Sequence, residues 1–361
     1  MLTGACLMHG SVPTKSPLPP VSALDRARRF LSGEAAGAQA IAPTRLEASR
    51  RRPDSTIHLI SVGDDRCERR FYLKTLHLGA GTHSQRRQAI AAEHDTLLRL
   101  RESFAGTPHL TVVRPVACFP DDLSLLTEEW PGRPVDTVLG GGRLQPWRHD
   151  RKGGQDVCGL AGEWLRLFQS FIAPTPRAPF DLAQIFAYCD DRLKIIVDSR
   201  HGGLDARTAC GFTRRLDELA RDVGPEELSL VTRHNDFRPE NMLTDGVRLA
   251  VLDFTGVTWG PRLYDFMKFW MKLEDLAAPP FGRVRTARSL QAAFADGYGH
   301  RVDLRSPLAL LIRAAFALDK LSEAVDPDLP RPSLSRRPAM SFWYRLQRRR
   351  LLAFVQGEPT I

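Results

Sequence analysis

The sequence contains no C-x-x-C pair. Its six cysteines, Cys6, Cys67, Cys118, Cys158, Cys189 and Cys210, are scattered. That excludes the common zinc spacings and a disulfide framework, and it fits a reducing compartment. No apolar run is long enough to span a bilayer, and the opening MLTGACLMHGSVPTKSPLPP has no basic stretch ahead of an apolar core. A secreted or membrane-integral protein is therefore not expected, and the localisation read from the sequence is cytoplasmic. No repeat of fixed period occurs, and the 26 prolines and 27 glycines are not gathered into low-complexity tracts. With 361 residues, 43% of them hydrophobic, the chain exceeds one ordinary core and suits one large bilobal unit or two domains.

Acidic residues are scarce near the C-terminus. Arg331, Arg336, Arg337, Arg345, Arg348, Arg349 and Arg350 lie in a segment with no acid until Glu358, and they supply much of the net charge of +9. Such a balance allows nucleic acid, anionic lipid or a phosphorylated compound as partner without choosing among them. The tail SFWYRLQRRRLLAFV mixes Phe342, Trp343, Tyr344, Leu346, Leu351, Leu352 and Phe354 with arginines. One reading is a helix in weak peripheral contact with anionic lipid at the inner face of a membrane. The favoured reading packs its apolar face on the body of the protein and leaves the arginines in water. No nucleic-acid-binding element accompanies the basic run, so no specific nucleic-acid partner is expected.

Residues 1–22 read as a disordered lead, with helix signals from ALDRARRFL. STIHLISV and RRFYLKTL flank a turn-rich tetrad and predict a hairpin. Thr82 and Gln85 have capping-box spacing ahead of a helix that carries Ile90, Leu97 and Leu100 on one face. Glu93 falls on that same face. A carboxylate aimed into an apolar contact requires a cation, and the nearest strand offers Lys74. HLTVVRPVACF and LSLLTEEW predict two more strands, and PGRPV breaks the pattern. The expected organisation is an N-lobe over 23–130, a helical C-lobe over 131–330 and a basic aromatic tail over 331–361. Six helices are expected beyond the boundary, from CGLAGEWLRLFQSFI to PLALLIRAAFALDKL.

The densest chemistry lies in RHNDFRPENMLTDGVRLAVLDF. Asp236 and Asn241 have D-x-x-x-x-N spacing, which suits a loop whose two ends face one cleft, and Asp253 ends an apolar strand where a carboxylate can leave the core. Asn241 and Asp253 together offer the sparse oxygen set that magnesium accepts when phosphate and water complete its shell. Asp236 is then available to accept a hydroxyl proton. With Lys74 as the phosphate cation and Glu93 holding it, these are the parts phosphoryl transfer requires.

HNDFRPENML, AVLDF and GPRLYDFMKF resemble, in the same order, the H-G-D-x-x-x-x-N, I-D-F/W and G-x-x-x-x-D elements of the aminoglycoside phosphotransferase and choline kinase superfamily. The resemblance covers most of the chain. It implies an α+β, protein-kinase-like bilobal fold: a small N-lobe with an antiparallel sheet and one long helix, and a larger, mostly helical C-lobe. It also implies Asp236 as catalytic base, Asn241 and Asp253 as magnesium ligands, and Lys74 with Glu93 as the phosphate-anchoring pair. His234 would brace the catalytic loop and Asp265 would stabilise it. Tyr72, on the strand face of Lys74, would lie near the adenine, and the backbone near Glu129 and Trp130 would read the base edge.

Three departures stand out. Asn235 replaces the usual small residue, no G-x-G-x-x-G precedes Lys74, and DFT stands where protein kinases have D-F-G. Little chain separates DFT from Asp265, so a peptide-docking surface is not expected. The resulting expectation is an ATP- and magnesium-dependent kinase acting on a small-molecule hydroxyl: a sugar, amino alcohol or glycolipid precursor in preference to an aminoglycoside. The alternative is a catalytically silent nucleotide-binding or membrane-associated scaffold.

Overall fold

The computed structural model describes residues 20–35, 43–64, 67–79, 81–140, 151–171, 178–199, 204–276, 284–325 and 337–357. Most of the expected disordered lead, up to residue 19, lies outside them, as do Arg331, Arg336 and the side chains of Phe342 and Trp343. The chain forms two units. One comprises the chain up to Arg99 with Val113–Trp130, and the other comprises Leu100–Val112 with Pro131 onward.

In the first unit, helix α1 (Pro20–Ala35) precedes strands β1 (Thr44–Arg51), β2 (Ser55–Asp64) and β3 (Cys67–Leu76) and helix α2 (His83–Ser103). After β4 (Leu110–Val112), which belongs to the second unit, come β5 (Pro115–Phe119) and β6 (Ser124–Glu128). The antiparallel order is β1-β2-β3-β6-β5. β3 alternates as a half-covered strand should. Phe71 and Leu73 are buried with Ile60 and Leu126 against Ala27 and Leu31 of α1. The capping box of α2 forms: the Thr82 amide donates to Gln85 Oε1 (2.9 Å) and the Gln85 amide to Thr82 Oγ1 (3.2 Å).

Two local features differ from the sequence expectation. HLTVVRPVACF is not one strand: β4 pairs in parallel with β10 (Leu249–Val251) of the second unit, while β5 begins at Pro115 and pairs with β6. Pro115 has no amide proton and suits the first position of a strand, so the apolar run is split there. β1 had no apolar alternation to reveal it; Arg45, Leu46 and every later residue of the strand are exposed. Its arginines fit an edge strand, where charge discourages pairing with another chain.

The second unit continues with β7 (Arg133–Pro134), α3 (Val135–Val138), α4 (Arg151–Phe171), α5 (Ala183–Asp198), α6 (Ala206–Arg221), β8 (Leu230–Arg233), β9 (Met242–Thr244) and, after β10, β11 (Thr258–Pro261). Four more helices follow: α7 (Leu263–Asp275), α8 (Val284–Tyr298), α9 (Pro307–Val325) and α10 (Arg337–Gln356). β4-β10-β9-β7 and β11-β8 form two small sheets that frame the loop between β8 and β9. α4 and α8 approach so closely that a Cβ on Gly162 would collide with the Phe294 carbonyl oxygen, and one on Gly297 with the Gly159 carbonyl oxygen.

The tail helix α10 buries Leu351 and Phe354, with the Phe354 ring 5.1 Å from that of Phe212 on α6. One arginine also turns inward, contrary to the expectation that all remain in water. Arg350 is 8% exposed and lies 3.2 Å from Asp275 and 3.7 Å from Glu274, carboxylates that Lys320 and Arg313 also meet. Among the described residues, no helix is long and apolar enough to cross a membrane.

Candidate active site

Asp236 and Asp253, both in the second unit, are each followed by a phenylalanine. Phe237 and Phe254 are buried and share an aromatic cluster with Trp164, at ring distances of 5.6 and 6.1 Å, while Trp164 donates its indole N–H to the Thr111 carbonyl (3.0 Å). Burying each ring plants the backbone beside it, so Asp236 and Asp253 are set at the edge of one apolar core. Both loops bend sharply. Asn235 has φ +67° and Asp253 φ +65°, left-handed values that Asn and Asp tolerate better than most residues.

Backbone and side-chain bonds then join the two loops. His234 is fully buried and bonds the Leu252 carbonyl through Nε2 (2.9 Å), while the Leu252 amide donates to the Asn241 carbonyl (2.9 Å). Burial pushes the His234 imidazole below its ordinary pKa, against the pull of Asp265, so the ring is neutral. With its proton on Nε2, its Nδ1 accepts the Asp236 amide at 3.3 Å. Asp265, on the first turn of α7 and fully buried, accepts the His234 amide (2.6 Å) and the Asn235 amide (2.9 Å). Burial pushes its carboxyl up, and the hydrogen-bonded His234 works in the other direction, as do the nearby Arg233 and Lys268.

Asp236 is surrounded on three sides. Asn241 Nδ2 donates to its Oδ2 (2.7 Å) and to its carbonyl (3.0 Å), Lys268 Nζ lies 3.0 Å from Oδ1, and Arg238 lies 3.0 Å from Oδ2. Burial acts to raise this carboxyl, but Lys268 and then Arg238 outweigh it and hold it below the usual range. It is therefore ionised at neutral pH. Because Asn241 turns its NH₂ group to Asp236, its amide oxygen remains an acceptor. Asp253, whose Oδ1 accepts Thr255 Oγ1 at 2.7 Å, provides carboxylate oxygen. This all-oxygen pair fits a hard cation such as magnesium. No group of three or more His, Cys, Asp or Glu side chains suited to a metal occurs among the described residues.

In the first unit, Lys74 Nζ is 3.2 Å from both carboxylate oxygens of Glu93. The Glu93 side chain is 3% exposed and that of Lys74 18%. Tyr72 donates its hydroxyl to Glu129 Oε1 (3.3 Å), and the Glu129 amide donates to the Arg70 carbonyl (2.8 Å). Trp130 ends this unit.

Residues 60–311, more than half of the chain, match the phosphotransferase enzyme family. The chain belongs to that family. Three solved structures share the protein-kinase-like fold. A choline/ethanolamine kinase family protein from Mesorhizobium loti is 15% identical with TM-score 0.53, covering 92% of this chain and 95% of its own. The amicoumacin kinase hAmiN, in complex with AMP-PNP, Ca2+ and Ami, is 14% identical with TM-score 0.53, covering 93% and 96%. Choline kinase LicA from Streptococcus pneumoniae is 9% identical with TM-score 0.52, covering 92% and 99%. No curated protein matches the chain in sequence.

The sequence reading of this phosphotransferase missed three contributors to the loop. Lys268 and Arg238 both touch Asp236, and Lys268 stands three residues after Asp265, a spacing that puts both on one side of α7. Asn235 reads from the sequence as a departure that bears on loop shape or substrate contact, with no partner assigned to it. Its side chain donates to the Gly256 carbonyl and to Thr258 Oγ1 (2.8 Å) and accepts from Arg233 (2.7 Å), which ties the Asp236 loop to the segment after Asp253.

Proposed function

We propose that this phosphotransferase moves the γ-phosphoryl group of ATP to a hydroxyl of a small molecule, with magnesium as the cofactor ion. The observation that carries the reading is the ionised Asp236 carboxylate, joined to Asn241 and tied through Leu252 to the Asp253 loop. Asp236 would orient the acceptor hydroxyl and accept its proton at a carboxylate oxygen as the phosphoryl group is transferred. Asn241 and Asp253 would hold magnesium, which offsets negative charge on phosphate oxygens when bound. In the first unit Lys74, fixed by Glu93, would bind the non-transferred phosphates, and Tyr72 and the 129–130 backbone would meet the base. His234 and Asp265 keep the Asp236 loop in shape. The amicoumacin kinase that shares the fold was solved with a nucleotide analogue and a divalent cation, the two classes of ligand this reading requires.

For the acceptor, two cations stand at Asp236 itself. A substrate with ammonium groups beside its hydroxyl meets like charge there. A sugar or glycolipid precursor is favoured, an amino alcohol follows, and an aminoglycoside is disfavoured. α10 commits its buried face to the protein, and nothing in its packing favours the membrane reading. The test is magnesium-dependent ATP turnover across sugars, amino alcohols, aminoglycosides and glycolipid precursors, with Asp253→Ala as control. Acceptor-stimulated turnover lost in the control is expected. ATP binding with no turnover on any acceptor would favour a silent scaffold instead.

A further inference from the structure

Arg50 on β1 pairs with Ile57 on β2, and Ile57 pairs with Lys74 on β3. Directly paired residues point to the same face of a sheet, so Arg50 and Lys74 stand in one cross-strand row, two strand spacings or about 10 Å apart. Ala48, Leu59 and Tyr72 form the next row on that face. The opposite face is covered by α1 through Ile60, Phe71 and Leu73.

Charge on the Lys74 face is largely neutralised. Lys74 is bound to Glu93 at 3.2 Å, and Arg70, which alternation puts on the same face, is bound to Glu129 at 3.1 Å. Arg50 differs: it is exposed and has no hydrogen bond or ion pair from its side chain among the described residues. The β1–β2 turn beside it, Arg52-Pro53-Asp54, offers few backbone donors. Pro53 has no amide proton, and the Arg52 amide is held by the Ser55 carbonyl at 2.7 Å. A phosphate chain beside Lys74 thus meets a guanidinium where a glycine-rich turn would present amides.

We propose that Arg50 is a second side-chain ligand for the polyphosphate of the nucleotide, acting on the same sheet face as Lys74. This rests on the ATP reading above. A guanidinium fork can engage two phosphate oxygens at once, and it supplies the positive charge that the Lys74–Glu93 pair lacks as a unit.

The test is direct titration of the full chain with ATP, ADP and adenosine. Arg50→Ala is expected to weaken ATP and ADP by about tenfold or more and to leave adenosine unchanged, as loss of a charge-assisted phosphate contact requires. Arg50→Lys should recover part of the loss. Arg51→Ala, whose side chain leaves the opposite face opposite Thr56, should bind as wild type. Because Arg50 is exposed on an edge strand, unchanged thermal unfolding is expected and is checked in parallel. Wild-type ATP affinity in Arg50→Ala, with ATP binding lost in Lys74→Ala, overturns the role of Arg50 and leaves the ATP site standing. Equal weakening of ATP and adenosine also overturns it. A wild-type protein that binds no nucleotide overturns both readings.

Discussion

Lys268 Nζ lies 3.0 Å from Asp236 Oδ1 and donates to the Asn235 carbonyl at 2.6 Å. One ammonium therefore fixes both the acid and the backbone unit that precedes it. Lys268→Met removes both restraints while keeping the length of the side chain. Turnover is expected to fall by about 10²-fold, the cost of a misplaced catalytic group, with ATP affinity unchanged. Steady-state kinetics with a parallel binding titration separates the two; equal losses in both would show that Lys268 serves the nucleotide instead.

Asp236→Asn keeps the size of the side chain and the bond to Asn241 can be remade, but the carboxylate proposed to accept the proton is gone. The rate is expected to fall by about 10² to 10⁴ while nucleotide still binds. Near-normal turnover in this variant sinks the assignment of Asp236 as base.

Much of the first unit was legible because its signals are local. The capping box, the period of α2 and the acid on its apolar face led to a Lys74–Glu93 pair, and Glu93 does reach Lys74. A buried carboxylate without a cation is so unfavourable that its partner can be sought from sequence. β1 stayed hidden because an exposed edge strand has no apolar period to display. The split of HLTVVRPVACF between two sheets is equally invisible, since β4 acquires its partner, β10, from far along the chain.

The candidate site was readable to the same depth. Asp236, Asn241 and Asp253 stand out by spacing, whereas Lys268 and Arg238 look like ordinary surface cations until the helix and loop are folded. Asn235 was visible only as a departure. Its left-handed backbone explains why Asn can replace a smaller residue, and its bonds to Gly256 and Thr258 show what the larger side chain adds.

Gly162 and Gly154 on α4 offer a sharp contrast in packing. A Cβ at Gly162 meets the backbone of α8, which cannot move aside, whereas one at Gly154 meets the Leu290 side chain at 3.2 Å and the Leu139 side chain at 3.6 Å. Gly162→Ala should destabilise by about 1–3 kcal/mol or more. Gly154→Ala should be neutral or gain up to about 1 kcal/mol from helix propensity. Urea unfolding of both variants decides; a harmless Gly162→Ala would contradict the close approach of α4 and α8.

His58 supplies a pH dependence in the first unit. It is 7% exposed, its Nδ1 is 2.7 Å from Ser49 Oγ, and its buried Nε2 has no partner among the described residues. Burial lowers its pKa from the ordinary value of 6.5. The unfolded chain therefore binds the proton first, so stability is intact above about pH 6.5 and falls as pH drops toward the folded pKa. The unfolding midpoint of the wild type should fall more steeply between pH 7 and 5, about the range where histidine titrates, than that of His58→Leu. Parallel slopes would show that His58 accepts the proton without cost.

Lys74 and Glu93 allow stability to be separated from binding. Lys74→Ala leaves the 3%-exposed Glu93 carboxylate without its ammonium, and a loss of up to about 3 kcal/mol is expected. The double variant Lys74→Met with Glu93→Leu replaces the pair by apolar groups of similar size and should recover most of that stability. Its ATP affinity should nevertheless stay as low as in Lys74→Ala, because no cation remains at that position. Urea unfolding and ATP titration on the same three proteins test this. If the double variant binds ATP as the wild type does, Lys74 serves to neutralise Glu93 and is not a phosphate ligand.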